Sequence, residues 1–456
     1  VLASMDMSPR PPGGRPAHDA AQRHLKACHL RAKRARQGWR PWMLFGIASL
    51  FYFYEFFARV APGVLHSELT RVSGASEGVF GFSMSLYFLA YAPAQLLVGR
   101  LLDRHGVRAV AAPASLLVAL GCLLFATSDN IALMGLGRFL QGLGSSVAYL
   151  GVIYLSLIWL PPQRHGMVPG MVTGIGTLGA ATAQVPLLLI SDHLGWRAPL
   201  LICTVAGIII AALIWRFLPR RPSWFVELMR EDGFDPNSPE PMGFQLNRIL
   251  HLRNLWILSL AAAGVYLPVS VIGDLWGVSF FSIEASLPNA QASLITTLVF
   301  IGFAIGGVVA GHWSDRLGRR KVLFSAGAVS AAFFALLLCF TSRLPVSVVV
   351  LLVAALGFTS GSQVLAFVMV ADTAKRHTRA ITLAFLNFIV MFFPVIVQPT
   401  VGLLSQWGLT AGAQPSSIQE LRGYAVVVVG MLAAAGLSFL VQDTRPRDDE
   451  GVLMSH

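Results

Sequence analysis

The chain has 456 residues, of which 55% are hydrophobic and only 12% are charged, and its net charge is +12. Soluble domains contain about twice this charged fraction, so the composition excludes an ordinary soluble enzyme and indicates a membrane protein. The four cysteines form no disulfide or metal-binding pattern, and we expect neither a metal nor a cofactor.

Twelve apolar segments of bilayer-spanning length follow a polar segment of forty residues. That first segment, 1–40, is rich in Pro, Gly and Arg and lacks the apolar core of a signal peptide, so we predict a disordered basic tail. Span 7 is predicted to be broken or unwound near Pro268, Gly273 and Gly277. The predicted spans cover residues 42–65, 79–99, 108–128, 131–158, 167–190, 198–218, 254–278, 291–312, 322–341, 346–371, 381–404 and 424–441.

Span 1 carries two ionisable residues inside its apolar run, Glu55 and Arg59. Charged groups within a membrane are costly, and they mark a substrate or ion path by default. Because positions i and i+4 share a helix face, Glu55 and Arg59 can meet, with Tyr52 one turn before them. The alternative is a self-neutralising pair that only helps the helices to pack.

Lysine and arginine are distributed unevenly between the two sides of the predicted bundle. If the N-terminus is cytoplasmic, 28 of the 34 basic residues lie in inside segments and four lie in outside segments. This asymmetry predicts that both termini are cytoplasmic. It also explains the net charge without a nucleic-acid partner. The basic tail either lies against anionic lipid headgroups or acts only as a topology signal.

The segment 99-GRLLDRHGVRAV-110 recurs as 311-GHWSDRLGRRKV-322, with six of twelve positions identical. Each copy follows the second span of a group of six, so the chain reads as two repeated halves, a common design of secondary transporters. The predicted divisions are a tail (1–40), a first six-helix bundle (41–218), a cytoplasmic linker (219–253), a second six-helix bundle (254–441) and a cytoplasmic tail (442–456).

Both copies match the G-x-x-x-D-R-x-G-x-R signature, and the chain therefore resembles the major facilitator superfamily across 41–441. The segment 138-RFLQGLGSS-146 is also similar to that family's span 4 motif. The resemblance implies an all-α fold of twelve helices in two pseudo-symmetric halves. It also implies that the two signature segments form gating loops, whose residues are Gly99, Asp103, Arg104, Gly106, Arg108, Gly311, Asp315, Arg316, Gly318 and Arg320.

The signature segments suggest how the cytoplasmic side is held shut. Their glycines allow left-handed backbone and close approach, and a carboxylate can accept from free N–H groups at a helix start. We predict that Asp103 caps the start of span 11 near Arg379–Thr382, and that Asp315 caps the start of span 5 near Gln163–Gly166. The alternative is a plain basic loop that fixes topology.

The family resemblance places a central cavity between spans 1, 4, 7 and 10, and helical spacing selects one polar stripe on each. Any single polar residue there could instead join helices by a hydrogen bond. The candidate substrate-binding and coupling residues are Tyr52, Glu55, Arg59, Arg138, Gln141, Ser145, Tyr149, Tyr266, Asp274, Gln363 and Asn387, and Gln398 of span 11 is a secondary candidate.

The charged candidates have different expected roles. Arg59 presents a planar fork suited to an anionic group of the substrate, and Glu55 is suited to carry a proton. The family motif associates Arg138 with proton coupling, but an arginine here could equally bond helix carbonyls. Asp274 lies near the predicted end of span 7, so it is either a solvated end or a site for an amine.

We predict a proton-coupled importer of a small carboxylate-bearing solute, such as an amino acid or organic acid. It would be a multi-pass protein of a bacterial inner membrane, would act as a monomer and would need no nucleic acid. The phrases 52-YFYEFFARVAPGV-64 and 272-IGDLWGVSFF-281 are similar to an uptake subgroup that includes phagosomal amino-acid transporters. The alternatives are a drug or siderophore exporter, although span 5 lacks the exporters' Gly-Pro motif, and a membrane sensor or membrane enzyme.

Overall fold

The structure is a computed structural model that describes residues 30, 35–161, 164, 167–231, 242–374, 379–408 and 416–443. Within these ranges the chain has twelve helices long and apolar enough to cross a membrane, and no strand, which confirms the predicted all-α class. Spans 1 to 12 are Arg40–Val64, Glu77–His105, Val107–Thr127, Ile131–Trp159, Val168–Leu194, Arg197–Phe217, Arg253–Glu284, Asn289–Leu317, Arg320–Arg343, Val346–Thr373, Ile381–Ser405 and Ser417–Leu440. Shorter helices outside the spans are His66–Ser73, Ser223–Glu231 and Met242–Leu250.

Large apolar side chains cover the outside of the bundle. Ile208, Val308, Leu351 and Phe439 are each more than half exposed, and they lie on four different spans. A surface of this kind is suited to lipid acyl chains rather than to water. The chain is therefore an integral, multi-pass membrane protein.

The two signature segments, which were predicted to be loops, are mostly helical. Spans 2 and 8 continue through the first glycine and the Asp-Arg pair of each segment. The chain turns instead at Gly106 (φ 77°) and Gly318 (φ 61°), in the left-handed region that glycine adopts without steric cost. The prediction of special glycine geometry is thus right for these two residues and wrong for Gly99 and Gly311, which are ordinary helical positions.

Span 7 is broken, as predicted. It is α-helical over Arg253–Val265, π-helical over Pro268–Trp276 and α-helical again over Gly277–Glu284. Proline has no N–H to continue the helical ladder, so the wider turn begins at Pro268. The break gives span 7 irregular backbone deep inside the bundle.

The backbones of the two halves come into close contact on one side of the molecule. We call the side where span 1 begins and span 12 ends the terminal face, and the opposite side the far face. Near the far face, a Cβ on Gly63 would lie 2.7 Å from the Asp274 carbonyl, and one on Gly402 would lie 2.3 Å from the Glu77 carbonyl. These backbone contacts join spans 1 and 2 to spans 7 and 11, so the far face is closed.

The end of the predicted tail packs against the terminal face. Arg36 donates to the carbonyls of Leu157 and Ile158, at 3.1 and 3.0 Å, where span 4 ends. Its guanidinium also lies 5.8 Å from the ring centroid of Trp224 in the predicted linker. The prediction of a disordered tail over 1–40 is therefore wrong for this part, and most of the tail lies outside the described residues.

Candidate functional site

Arg59 and Asp274 form an ion pair at the centre of the bundle. Arg59 is 1% exposed and Asp274 is 3% exposed. The Asp274 Oδ2 atom accepts from Arg59 Nε at 2.9 Å and from Arg59 Nη2 at 2.5 Å. The same Nη2 lies 3.5 Å from the hydroxyl of Tyr266. This pair joins span 1 of the first half to span 7 of the second half.

Two expectations are corrected by this pair. The expected carboxylate partner of Arg59 was Glu55, one turn away, but the partner is Asp274 from the other half. Asp274 was also considered a solvated helix end, whereas span 7 continues ten residues beyond it to Glu284 and buries it. The close packing of Gly63 against the backbone of span 7 brings the two groups together.

Glu55 is fully buried and has a different neighbour, Tyr87 of span 2. The Tyr87 hydroxyl donates to Glu55 Oε1 at 3.0 Å. Glu55 Oε2 and Asp274 Oδ1 have no hydrogen-bond partner among the described residues. A buried carboxylate oxygen without a donor is costly unless it binds a proton or a ligand donor. Each carboxyl group therefore has one free position for a proton.

Tyr87 was not among the predicted site residues, because the predicted polar stripes lay on spans 1, 4, 7 and 10, with Asn387 added from span 11. The available signal was the spacing of Tyr87, Tyr91 and Gln95 in span 2, which places three polar groups on one helix face. Gln95 Nε2 donates to the Tyr91 hydroxyl at 2.9 Å, and Asn387 of span 11 donates to Gln95 Oε1. Asn387, a predicted site residue, thus links the halves beside the centre.

Arg138 is buried and bound to the protein itself. Its Nη1 donates to Gln141 Oε1 at 2.7 Å, and its Nε lies 3.5 Å from the Met84 carbonyl. The guanidinium lies 4.7 Å from the ring centroid of Tyr87, and Arg59 lies 5.8 Å from the same ring. These contacts support the structural role of Arg138, and they leave Gln141 committed to it.

Two further amides, Gln184 of span 5 and Gln398 of span 11, hold the broken part of span 7. Gln184 Nε2 donates to the Gly273 carbonyl at 3.2 Å, and Gln398 Nε2 donates to the Ser270 carbonyl at 2.7 Å. Irregular backbone within a membrane persists where other groups satisfy it. Gln398 was predicted as a secondary candidate from its position in span 11, whereas Gln184 was not predicted.

The other predicted residues lie around the same centre. The rings of Tyr52 and Tyr149 are 5.6 Å apart, and Tyr266 packs 5.6 Å from Phe303. Ser145 is buried in span 4. Gln363 is buried in a short 3-10 segment of span 10, and no hydrogen bond joins it to the Arg59 cluster among the described residues.

The charged residues of the signature segments lie at the terminal face. Arg320 is buried and forms ion pairs with Asp372 at 2.7 Å and with Asp315 at 3.7 Å. Arg108 lies 4.6 Å from the ring centroid of Trp215, whereas Arg104 and Arg316 are exposed.

The predicted helix caps remain predictions. Asp103 lies beside Tyr154 and Arg221, and Gly106 packs against the side chain of Arg221. Asp315 is 75% exposed. The side chains at the start of span 11 and much of the segment before span 5 lie outside the described residues.

Sequence comparisons associate the chain with known membrane transporters. The sequence profile of the Major Facilitator Superfamily matches residues 43–288 and 258–452. The gentisate transporter of Corynebacterium glutamicum is 24% identical over 376 residues, which cover 80% of this chain and 81% of that protein. The probable sulfoacetate transporter SauU of Cupriavidus necator is 22% identical over 63% of this chain and 68% of its own length. The membrane sensor protein UhpC of Escherichia coli is 25% identical over 63% of this chain and 69% of its own length.

Solved structures share the fold. A bacterial homologue of the human lysosomal transporter Spinster, inward-facing and unoccupied, aligns with a TM-score of 0.69 at 15% identity, over 89% of this chain and 97% of that chain. A D-xylose–proton symporter aligns with the same TM-score and identity over 87% of this chain and 97% of that chain.

Proposed function

The chain belongs to the Major Facilitator Superfamily of secondary transporters, and from that premise we propose that it imports a small carboxylate-bearing solute together with protons. The family is one of transporters rather than enzymes, which implies a small-molecule substrate. The observation that carries the proposal is the buried ion pair of Arg59 and Asp274 between the two halves. A guanidinium held in this way is a preformed receptor for a carboxylate.

In the proposed mechanism, Asp274 occupies the carboxylate position of Arg59 when no substrate is bound. A substrate carboxylate replaces it and leaves Asp274 without a cation. Because an unpaired charge in a buried site is strongly unfavourable, Asp274 then binds a proton. The exchange couples substrate binding to proton binding, and it also breaks the link between span 1 and span 7 that opposes movement of the halves.

Glu55 supplies a second proton position, since one of its oxygens has no partner among the described residues. A monoanionic substrate that enters with two protons moves one net positive charge inward. The membrane potential then favours uptake by about 2.3 kcal/mol per 100 mV. In this scheme the terminal face is cytoplasmic, as the arginine and lysine distribution predicts, and the membrane is the inner membrane of a bacterium. The transporter works as a monomer, with the proton as its coupling ion.

The relatives support an anionic substrate. Gentisate and sulfoacetate, the solutes in the names of two relatives, both carry a carboxylate. Export of lipophilic cations fits the centre less well, because a guanidinium repels a cation and the adjacent carboxylate is already paired with it. Span 5 also lacks the Gly-Pro motif of exporters.

A second candidate function is that of a membrane sensor, because the sensor protein UhpC is among the relatives. A sensor would bind the same carboxylate through Arg59 without moving it across the membrane. Uptake measurements separate this candidate from a transporter.

The test is uptake by purified protein in proteoliposomes that are alkaline inside, with labelled benzoate, gluconate, malate and glutamate as probes. We expect one class to accumulate, and the Arg59→Gln variant to lose the uptake. Arg71 is exposed and pairs with Glu68 on the short helix after span 1, so it offers a matched control. The Arg71→Gln variant should retain uptake. Binding of a probe without its accumulation would instead support the sensor function. Counter-transport of lipophilic cations would support the exporter function.

Arg59→Gln leaves Asp274 buried without a partner, which costs about 3–5 kcal/mol and can prevent folding. The double variant Arg59→Gln, Asp274→Asn keeps the pair neutral and hydrogen-bonded, so it tests the same claim in a folded protein. If the folded double variant accumulates the carboxylate normally, the proposal is wrong.

A further inference from the structure

Tyrosines are concentrated at the centre of this transporter. The chain has only eight tyrosines. Four of them lie beside Glu55, namely Tyr52, Tyr87, Tyr91 and Tyr266, and a fifth, Tyr149, packs against Tyr52. Tyrosine combines an apolar ring with a polar tip, so such a lining suits a ligand that is itself flat, apolar and polar at its edges.

The guanidinium of Arg59 is enclosed by aromatic rings. It lies 4.9 Å from the ring centroids of Phe56 and Phe88, and 5.8 Å from that of Tyr87. If a substrate carboxylate binds Arg59, the substrate atoms next to that carboxylate therefore contact these ring surfaces. Aromatic groups gain about 0.5–1.5 kcal/mol from such ring contacts beyond the area they bury.

Two of the amide side chains near the centre are already bonded to protein partners. Gln141 holds Arg138, and Asn387 is bonded to Gln95, whereas Gln398 Oε1 has no partner among the described residues. A sugar acid carries several hydroxyl groups, and each would lose free energy on burial without a partner. An aromatic ring has few polar groups that need such partners. Because Gln141 and Asn387 are already bonded within the protein, the site favours an aromatic acid over a polyhydroxylated acid.

Two phenol groups remain available. Among the described residues, the hydroxyls of Tyr52 and Tyr149 take part in no hydrogen bond with the protein, and their rings lie 5.6 Å apart. Tyr52 precedes Arg59 by seven residues, which is about 10 Å along the helix towards the terminal face. These hydroxyls are placed to bind a polar substituent on a ring whose carboxylate lies at Arg59.

We propose that the substrate is an aromatic carboxylate with a ring hydroxyl group. Its carboxylate binds Arg59, its ring packs against Phe56 and Phe88, and its hydroxyl binds Tyr52 and Tyr149. This inference rests on the proposed function, because it names the class of carboxylate that the same site takes.

The test compares four probes by thermal stabilisation and calorimetry on the purified full-length protein. The probes are 4-hydroxybenzoate, benzoate, cyclohexanecarboxylate and gluconate. Benzoate and cyclohexanecarboxylate differ mainly in the aromatic character of the ring. We expect benzoate to bind about 3- to 10-fold more tightly than cyclohexanecarboxylate, from the magnitude of aromatic contacts. We expect 4-hydroxybenzoate to bind more tightly still.

Two variants assign these preferences to residues. Phe88→Leu should reduce the preference for benzoate over cyclohexanecarboxylate, because Phe56 alone remains against the ring. Tyr149→Phe should reduce the preference for 4-hydroxybenzoate over benzoate, because Tyr52 alone remains to bind the hydroxyl. If either preference persists undiminished in its variant, the assigned contact is wrong.

The outcomes distinguish this inference from the proposed function. If gluconate or cyclohexanecarboxylate binds at least as tightly as the aromatic acids, and the Arg59→Gln, Asp274→Asn variant loses that binding, the aromatic class is wrong and the carboxylate function stands. If none of the four probes binds, or if all bind equally well to that variant, both proposals fail.

Discussion

At the scale of residues, the centre holds two arginines and two carboxyl groups, all buried, and both guanidiniums lie over the ring of Tyr87. Periodicity predicted that Arg59 and Glu55 matter, but not which groups pair. Glu55 and Asp274 are both carboxylates within possible reach of Arg59. The choice between them depends on the packing of span 1 against span 7, which are distant in sequence.

The hydrogen bond from Tyr87 to Glu55 tests the ionisation of Glu55. A bond to a charged group contributes about 1.5–3 kcal/mol, and a neutral bond contributes about 0.5–1.5 kcal/mol. The proposed scheme needs an ionised Glu55 that can accept a proton, so it predicts that Tyr87→Phe destabilises the protein more than Tyr424→Phe, whose hydroxyl donates to the neutral Ala335 carbonyl at 3.1 Å. Denaturant or thermal unfolding of the two variants provides the comparison. Equal losses would show that Glu55 is already neutral without substrate.

At the scale of elements, hydropathy predicted all twelve spans, because the bilayer imposes a minimum apolar length on each. The ends were predicted less well. Charged residues such as Asp103 resemble loop residues in sequence, yet they lie in the last turn of a long helix that extends beyond the apolar region. The break in span 7 was predictable because Pro268 cannot continue the helical ladder. The amide side chains that bond to the backbone at this break were not predictable in that role, because they come from other spans.

Close helix crossings should be intolerant of side chains. A Cβ on Gly142 of span 4 would lie 1.9 Å from the Tyr87 carbonyl, and one on Gly306 of span 8 would lie 1.8 Å from the Phe358 carbonyl. Gly142→Ala should therefore force the helices apart and lower the thermal midpoint, at a cost of about 1–3 kcal/mol or more. Gly170→Ala is the matched control, since nothing lies within 4 Å of its Cβ position. A Gly142→Ala protein as stable as that control would contradict the described crossing.

The short helix after span 1 provides a pH-sensitive contact at the far face. His66 Nε2 lies 2.7 Å from Glu77 Oε2, and the His66 ring lies 5.4 Å from that of Trp276 in the second half. Burial lowers the pKa of His66, but the carboxylates of Glu77 and, more weakly, Glu420 outweigh it and raise the pKa above 6.5.

Because the folded pKa is raised, the protonated His66 stabilises the protein below about pH 6.5, and this contribution is lost as the pH rises through the folded value. We expect the thermal midpoint of His66→Gln to fall furthest below that of the original protein at about pH 6, and the difference to shrink at higher pH. A difference that does not change with pH would mean that His66 remains neutral in the folded protein.

At the scale of the whole molecule, the repeated signature segments predicted two halves and hence a site between them. The structure adds that the halves are closed together near the far face and that an ion pair joins them at the centre. No local pattern in the sequence contains this information, because each contact joins residues from different halves. The candidate residues were predicted on spans 1, 4, 7, 10 and 11. The polar spacing in span 2 is visible in the sequence, but its place beside Glu55 follows only from the packed structure.

The central claim is that a substrate carboxylate displaces Asp274 from Arg59 and that Asp274 then binds a proton. It is tested most directly by proton uptake on binding, measured with a pH indicator in weakly buffered solution with 4-hydroxybenzoate and gluconate as separate probes. We predict proton uptake on binding, of which about one proton per carboxylate bound is attributable to Asp274 by linkage. In Asp274→Asn the ligand should still bind, but this proton should not be taken up. Binding without proton uptake in the original protein, or the same uptake in Asp274→Asn, would contradict the mechanism.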